Sequence, residues 1–304
     1  MCDWSDLQKA RRSLARQYCH PRMSSMQFET LSSVLTSESG HMVDELNRVA
    51  AHQQQQPQVN PIGDGAAGGV GGAGGAGVDL KPILLSMCAN VFTHYMCSSR
   101  FAYDDIGFQK IVRLFDQIFW DINQGYAVDF LPWLLPVYRR HMQQLISWGT
   151  DIRQFILTHI IEEHRHSLDR HNPRDFTDAL LSHLESNSTV KEGEQDKEGA
   201  LDWNHVLYEL EDFLGGHSAI GNLLMRAVGE LCHNPQVMRA IQEEIHKVTG
   251  GHRPVVLEDR PQMPYTEAAI LETLRLSSSP IVPHVAMQDT SVAGTCTRPS
   301  SIFS

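Results

Sequence analysis

The stretch 203–234 constrains the fold more than any other part of this 304-residue chain. Wound as a helix, it sets Leu207, Leu210, Phe213, Leu214, Ile220, Leu223, Leu224, Ala227, Val228 and Leu231 around much of its circumference. A helix apolar on most sides belongs inside the body of a sizeable domain. Gly215 and Gly216 interrupt it, although each glycine costs roughly 1 kcal/mol against alanine in a helix interior. Two readings stand side by side. Either something approaches the backbone closely there, or one helix ends at Gly215 and another begins with Ser218 as its N-cap.

The chain is long enough for such a core, as one large domain or two. Its net charge of −11 and the lack of a long basic block argue against a nucleic-acid partner. No apolar run approaches the ~20 residues that span a bilayer, and the N-terminus is charged within a few residues, so no signal peptide or anchor is read. Cys2, Cys19, Cys88, Cys97, Cys232 and Cys296 are scattered without zinc spacing, as reduced and mostly buried residues of an intracellular protein would be. The sixteen histidines contain no HExxH, and His164 and His166 fall on different faces of a helix. Hydrogen-bonded or solvated histidines are expected, and no metal site.

Helical patterns recur along the rest of the chain at 3–19, 26–51, 80–100, 105–124, 138–166, 174–184, 235–248 and 264–276. The first carries Trp4 and Arg11 on nearly one face, seven residues apart, with Arg12 beside them. Guanidinium forks suit a carboxylate or phosphate; a basic surface helix anchored by one Trp is the plainer reading. Segment 53–77 falls to Gln, Pro, Gly and Ala and reads as a flexible loop insertion, spanning on the order of 25–30 Å. The run 129–136, DFLPWLLP, is expected in the core, since an exposed version would make a membrane- or ligand-facing patch. On the last helix Glu272 and Arg275 form an i,i+3 pair among Ala268, Ala269, Ile270, Leu271 and Leu274, and burial is expected. A proline-led strand pair is expected over 280–293, and beyond Gly294 the sequence is polar and patternless.

Taken in order, these elements resemble the cytochrome P-450 family. Glu272-Thr-Leu-Arg275 followed by Pro280, Pro283, His284 and Asp289 looks like that family's ExxR helix and following strand. Leu214 to Ala219 is similar to its oxygen-binding stretch, and Trp4 with Arg11 and Arg12 to its haem-propionate helix, with about one extra turn between Trp and Arg. Ala89-Asn90-Val91 and Arg174-Asp175-Phe176-Thr177-Asp178 resemble stretches of microsomal members. GGHSAIGN and LETLRLSSSPIVPHVAMQDTSVAG look most like the spook-type enzymes of insect ecdysteroid synthesis.

The resemblance implies a mainly α fold with a long central helix and a small β portion near the C-terminus. It implies a haem (heme) cofactor, a sterol-like substrate roofed in part by the connection around Phe130 to Leu135, an NADPH-cytochrome reductase as electron donor, and the endoplasmic reticulum membrane. Trp4, Arg11, Arg12 and His284 would hold the haem propionates. Gly215, Gly216, His217, Ser218 and Ala219 would form the oxygen-binding stretch, and Glu272 with Arg275 a buried structural pair. Two departures matter. Ser218 and Ala219 stand where most members carry an acid and a Thr, so the usual proton relay is missing. The Phe-x-x-Gly-x-Arg-x-Cys-x-Gly loop, whose thiolate would bind iron, does not occur. The chain therefore reads as an incomplete domain over 1–294, with a disordered insertion at 53–78 and an unrelated tail at 295–304. It is expected to be inactive as it stands. A non-catalytic helical protein derived from the same family is the alternative.

Overall fold

The computed structural model describes residues 6–55, 77–188, 202–277 and, near the C-terminus, 284–285, 289–292, 295–297 and 302–303. Helices α1 (Asp6–Cys19), α2 (Met26–Gln55), α3 (Lys81–Cys97) and α4 (Ile106–Ile122) come first. A four-residue α5 (Ala127–Phe130) and a 3-10 turn (Pro132–Leu134) lead into α6 (Arg139–Ile156), a π turn (Leu157–Ile161) and α7 (Glu162–Ser167). Then follow α8 (Phe176–Ser188), the 31-residue α9 (Trp203–His233), α10 (Pro235–Thr249), a 3-10 segment (Leu257–Gln262) and α11 (Pro264–Leu276). Trp4 and most of the Gln- and Gly-rich insertion lie outside the described residues, and Gln53 to Gln55 belong to α2.

Local chemistry sets the ends of these helices. Asp105 caps α4 by accepting from the Phe108 N–H at 2.8 Å. Asp202 accepts from the His205 N–H at 2.8 Å, while His205 Nδ1 receives the Asp202 N–H at 3.2 Å, so α9 begins with a reciprocal cap. Pro235 opens α10, and Gly250, at φ 66°, closes it in the left-handed region where glycine is unstrained.

The core gathers on the first half of α9. Val206, Leu207, Leu210 and Leu214 are buried with Ile152, Ile156, Ile160 and Ile161 of α6 and the π turn, and with Phe176, Leu180 and Leu181 of α8. Helices α3, α4, α6, α8, α10 and α11 all contact α9. The burial expected along the whole of α9 is thus concentrated N-terminally: Leu223, Leu224, Ala227, Val228 and Leu231 are half-buried and Ile220 is exposed.

Two expectations are corrected. Phe130, Leu131, Trp133 and Leu135 are exposed, Trp133 by 72%, and only Val128 of this region is buried. Short helical turns broken by proline present their apolar side chains in several directions, and one neighbouring surface cannot cover them all. Near the C-terminus, the two expected strands do not pair with each other. β1 (His284–Val285) pairs antiparallel with β4 (Ile302–Phe303), and β2 (Thr290–Val292) with β3 (Thr295–Thr297), so each takes its partner from beyond Gly294.

Candidate functional site

The glycine pair lies inside a continuous α9, which decides between the two readings of 203–234. A Cβ on Gly215 would stand 3.3 Å from the Phe115 ring of α4, and one on Gly216 would stand 3.2 Å from Cζ of Phe92 on α3. The pair therefore lets two aromatic rings rest on the backbone of α9. Gly221, which sequence reasoning passed over, permits a closer approach, since its Cβ would meet Leu85 Cδ2 at 2.6 Å. Its signal was a third glycine five residues after Gly216, one further small residue on the same helix.

The five residues of the presumptive oxygen-binding stretch do not converge. His217 is buried; its Nδ1–H donates to the Leu214 carbonyl at 2.5 Å, and its ring meets Phe115 edge-on at 5.4 Å. Burial pushes its imidazole below the ordinary histidine range and keeps it neutral. Ser218 is also buried, with Oγ 3.4 Å from His217 Nε2. Ala219, by contrast, faces outward.

On α1, Arg11 is drawn to the same central helix. Its Nε forms an ion pair with the buried Glu209, which lies seven residues before Gly216 and so on nearly the same face of α9. Glu209 was missed in the sequence; its signal was a lone acid set among apolar helix positions. Its charge, after burial itself, also raises the nearby Asp212 carboxyl. Arg12 is exposed, Trp4 lies outside the described residues, and nothing is described of the His284 side chain beyond its strand.

Glu272 and Arg275 do bond to each other, at 2.7 and 2.6 Å, but they are 54% and 67% exposed, which corrects the expected burial. The face of α11 that carries them is itself uncovered, with Ile270, Leu271 and Leu274 exposed. The Arg275 bond holds the Glu272 carboxyl below its usual range, yet water screens such a pair.

Other features of the described residues bear on ligands. A cleft of about 450 Å³ runs between α2 and α11, lined chiefly by apolar groups such as Leu35, Val256, Met263, Ile270 and Leu274. The His164, Asp175 and Asp178 side chains are buried within 4.8 Å of one another, as metal ligands would be. Their atoms are already engaged: His164 by Ile160 and Asp175, and both Asp178 oxygens by Arg174.

A haem would need free propionate donors, an open surface beside the glycine pair, and a thiolate. Here Arg11 is committed to Glu209, the glycines are covered by Phe92 and Phe115, and burial pushes the Cys88 and Cys97 thiols up to about 12, away from thiolate. Among the described residues, this arrangement does not fit the group.

Comparison with known proteins gives the wider context. Residues 6–299 match the family described as cytochrome P-450. The chain is 44% identical to cytochrome P-450 307a1 of Drosophila melanogaster over 97% of its own length and 48% of that protein. It is 32% identical to the steroid 17-alpha-hydroxylase/17,20 lyase of Oryzias latipes, over 71% of its length and 42% of the relative. A zebra fish cytochrome P-450 solved with progesterone superposes with a TM-score of 0.75 at 25% identity, covering 99% of this chain and 62% of that one. The chain thus spans about half the length of the curated relatives it matches. With the order of helices, the ExxR segment and the glycine-bearing central helix all in place, the chain belongs to the cytochrome P-450 family.

Proposed function

We propose that the chain is part of a haem-dependent monooxygenase acting on a sterol-like precursor, in the manner of the spook-type enzymes of ecdysteroid synthesis. The single observation that carries this reading is the 44% identity to the Drosophila protein along nearly the whole chain; the likeness to a relative solved with progesterone supports the substrate class. The intact protein would take electrons from NADPH-cytochrome reductase at the endoplasmic reticulum membrane. No helix among the described residues is long and apolar enough to cross a membrane. The chain's own residues limit how protons move on the outward face of α9. Ala219 offers no hydroxyl, and His217 and Ser218 are buried, so water would have to carry protons there.

A second reading, a non-catalytic helical piece of the same family, is favoured by one specific arrangement. Arg11 is neutralised by Glu209, and the glycine pair is packed against phenylalanine rings. The reduced, carbon-monoxide-bound spectrum separates the two. The chain alone is expected to give no thiolate-type Soret band, and appending a family Cys-loop in frame after Gly294 is expected to restore one. A thiolate-type band from the chain alone would overturn the non-catalytic reading. Failure of the extended chain to bind haem at all would overturn the monooxygenase reading.

A further inference from the structure

His164, on α7, sits with acceptors at both ring nitrogens. Nδ1 lies 2.7 Å from the Ile160 carbonyl oxygen, and Nε2 lies 2.9 Å from Asp175 Oδ2. A carbonyl oxygen accepts only, and Asp175 already accepts from the Asp178 N–H through its other oxygen at 2.9 Å, as the cap of α8. A neutral imidazole carries a single N–H, so one ring nitrogen would face an acceptor with no proton between them. In a site where His164 and Asp175 are 2% and 3% exposed, that arrangement is costly.

The surrounding charges lead to the same conclusion. Asp178 is ionised and is held by Arg174 Nε at 2.7 Å and Nη2 at 3.0 Å. Tyr18, facing the cluster from α1, and Cys97, facing it from α3, are kept protonated, chiefly by burial and further by these carboxylates. Glu163 lies near Arg174 on the solvent side. Two carboxylates and one guanidinium leave a single buried negative charge unless a proton resides on His164.

We propose that His164 is held as the imidazolium and serves as a pH-sensitive latch that pins the start of α8 to the helix that follows the π turn. Removing its proton leaves two acceptors opposed and one buried charge uncompensated, and α8 is released from the end the latch holds. Phe176, Leu180 and Leu181, which α8 contributes to the core, then lose their fixed seat beside Tyr18 and Phe213.

The test uses the full chain with 15N-labelled histidine. At neutral pH both His164 nitrogens are expected to resonate as protonated, with the resonance assigned by its loss in His164→Gln. Its midpoint should lie above those of the exposed histidines. Hydrogen exchange at the amides of Leu180 and Leu181 should accelerate roughly tenfold, beyond the intrinsic chemical increase, as pH rises through that midpoint. The same step should be absent in His164→Gln. A neutral His164 tautomer at neutral pH overturns the proposal, and so does an equal acceleration in the variant. If the variant does not fold, the nitrogen titration of the unmodified chain decides, with the resonance assigned through Asp175→Asn.

Discussion

At the scale of single residues, the glycines of α9 differ in what stands opposite them. Gly221 faces Leu85 so closely that a Cβ would come 2.6 Å from Cδ2 and 3.4 Å from Cα, whereas Gly229 has nothing within 4 Å. Gly221→Ala gains helix propensity but overpacks a buried contact, for an expected net loss of about 1 kcal/mol. Gly229→Ala gains the propensity without the clash and should stabilise by about 0.5–1 kcal/mol. Paired urea midpoints check both, and a stabilised Gly221→Ala would mean that α3 does not lie where described. The Gly215–Gly216 pair was legible because two adjacent glycines in an apolar helix are expensive. Gly221 and Glu209 were not, because the meaning of each depends on which residue of another helix lies across from it.

At the scale of elements, caps and proline breaks made the helices legible, and α11 was read with the bounds it has. What covers each face was less legible. The i,i+3 spacing of Glu272 and Arg275 tells that they meet, not whether a neighbour hides them. The same gap explains DFLPWLLP, whose hydrophobicity is plain while its surroundings are not. Because Glu272 and Arg275 are exposed, Glu272→Gln is expected to leave the thermal midpoint unchanged within error. A large drop in Tm would return the pair to the buried role that the family resemblance implied.

For the whole molecule, stability has opposed pH limits. For His164, burial alone lowers the imidazole, but the Asp175 bond and the nearby carboxylates outweigh it and raise it above the ordinary 6.5. A raised folded value contributes stability that is complete below the unfolded value and is lost as pH climbs through the folded one. On the acid side, burial raises Asp178, but bonds from Arg174 prevail and lower it, and the Arg253 bond brings Asp259 down to about 2. Their contribution is present above the usual carboxylate value of 3.8 and is lost as pH falls below it. Urea unfolding against pH should therefore show a plateau between these limits, with a decline on the alkaline side that His164→Gln removes. Stability that rises steadily from neutral to alkaline pH would contradict this. The π turn Leu157–Ile161, where the Glu162 N–H reaches back five residues to the Leu157 carbonyl, has its own consequence. It carries one residue more than an ordinary helix needs. Removing the exposed His159 would let the segment relax to regular winding and turn everything after it by about 100°. His164 would then point away from Asp175, so the length of this turn, as much as the identity of the histidine, encodes the contact.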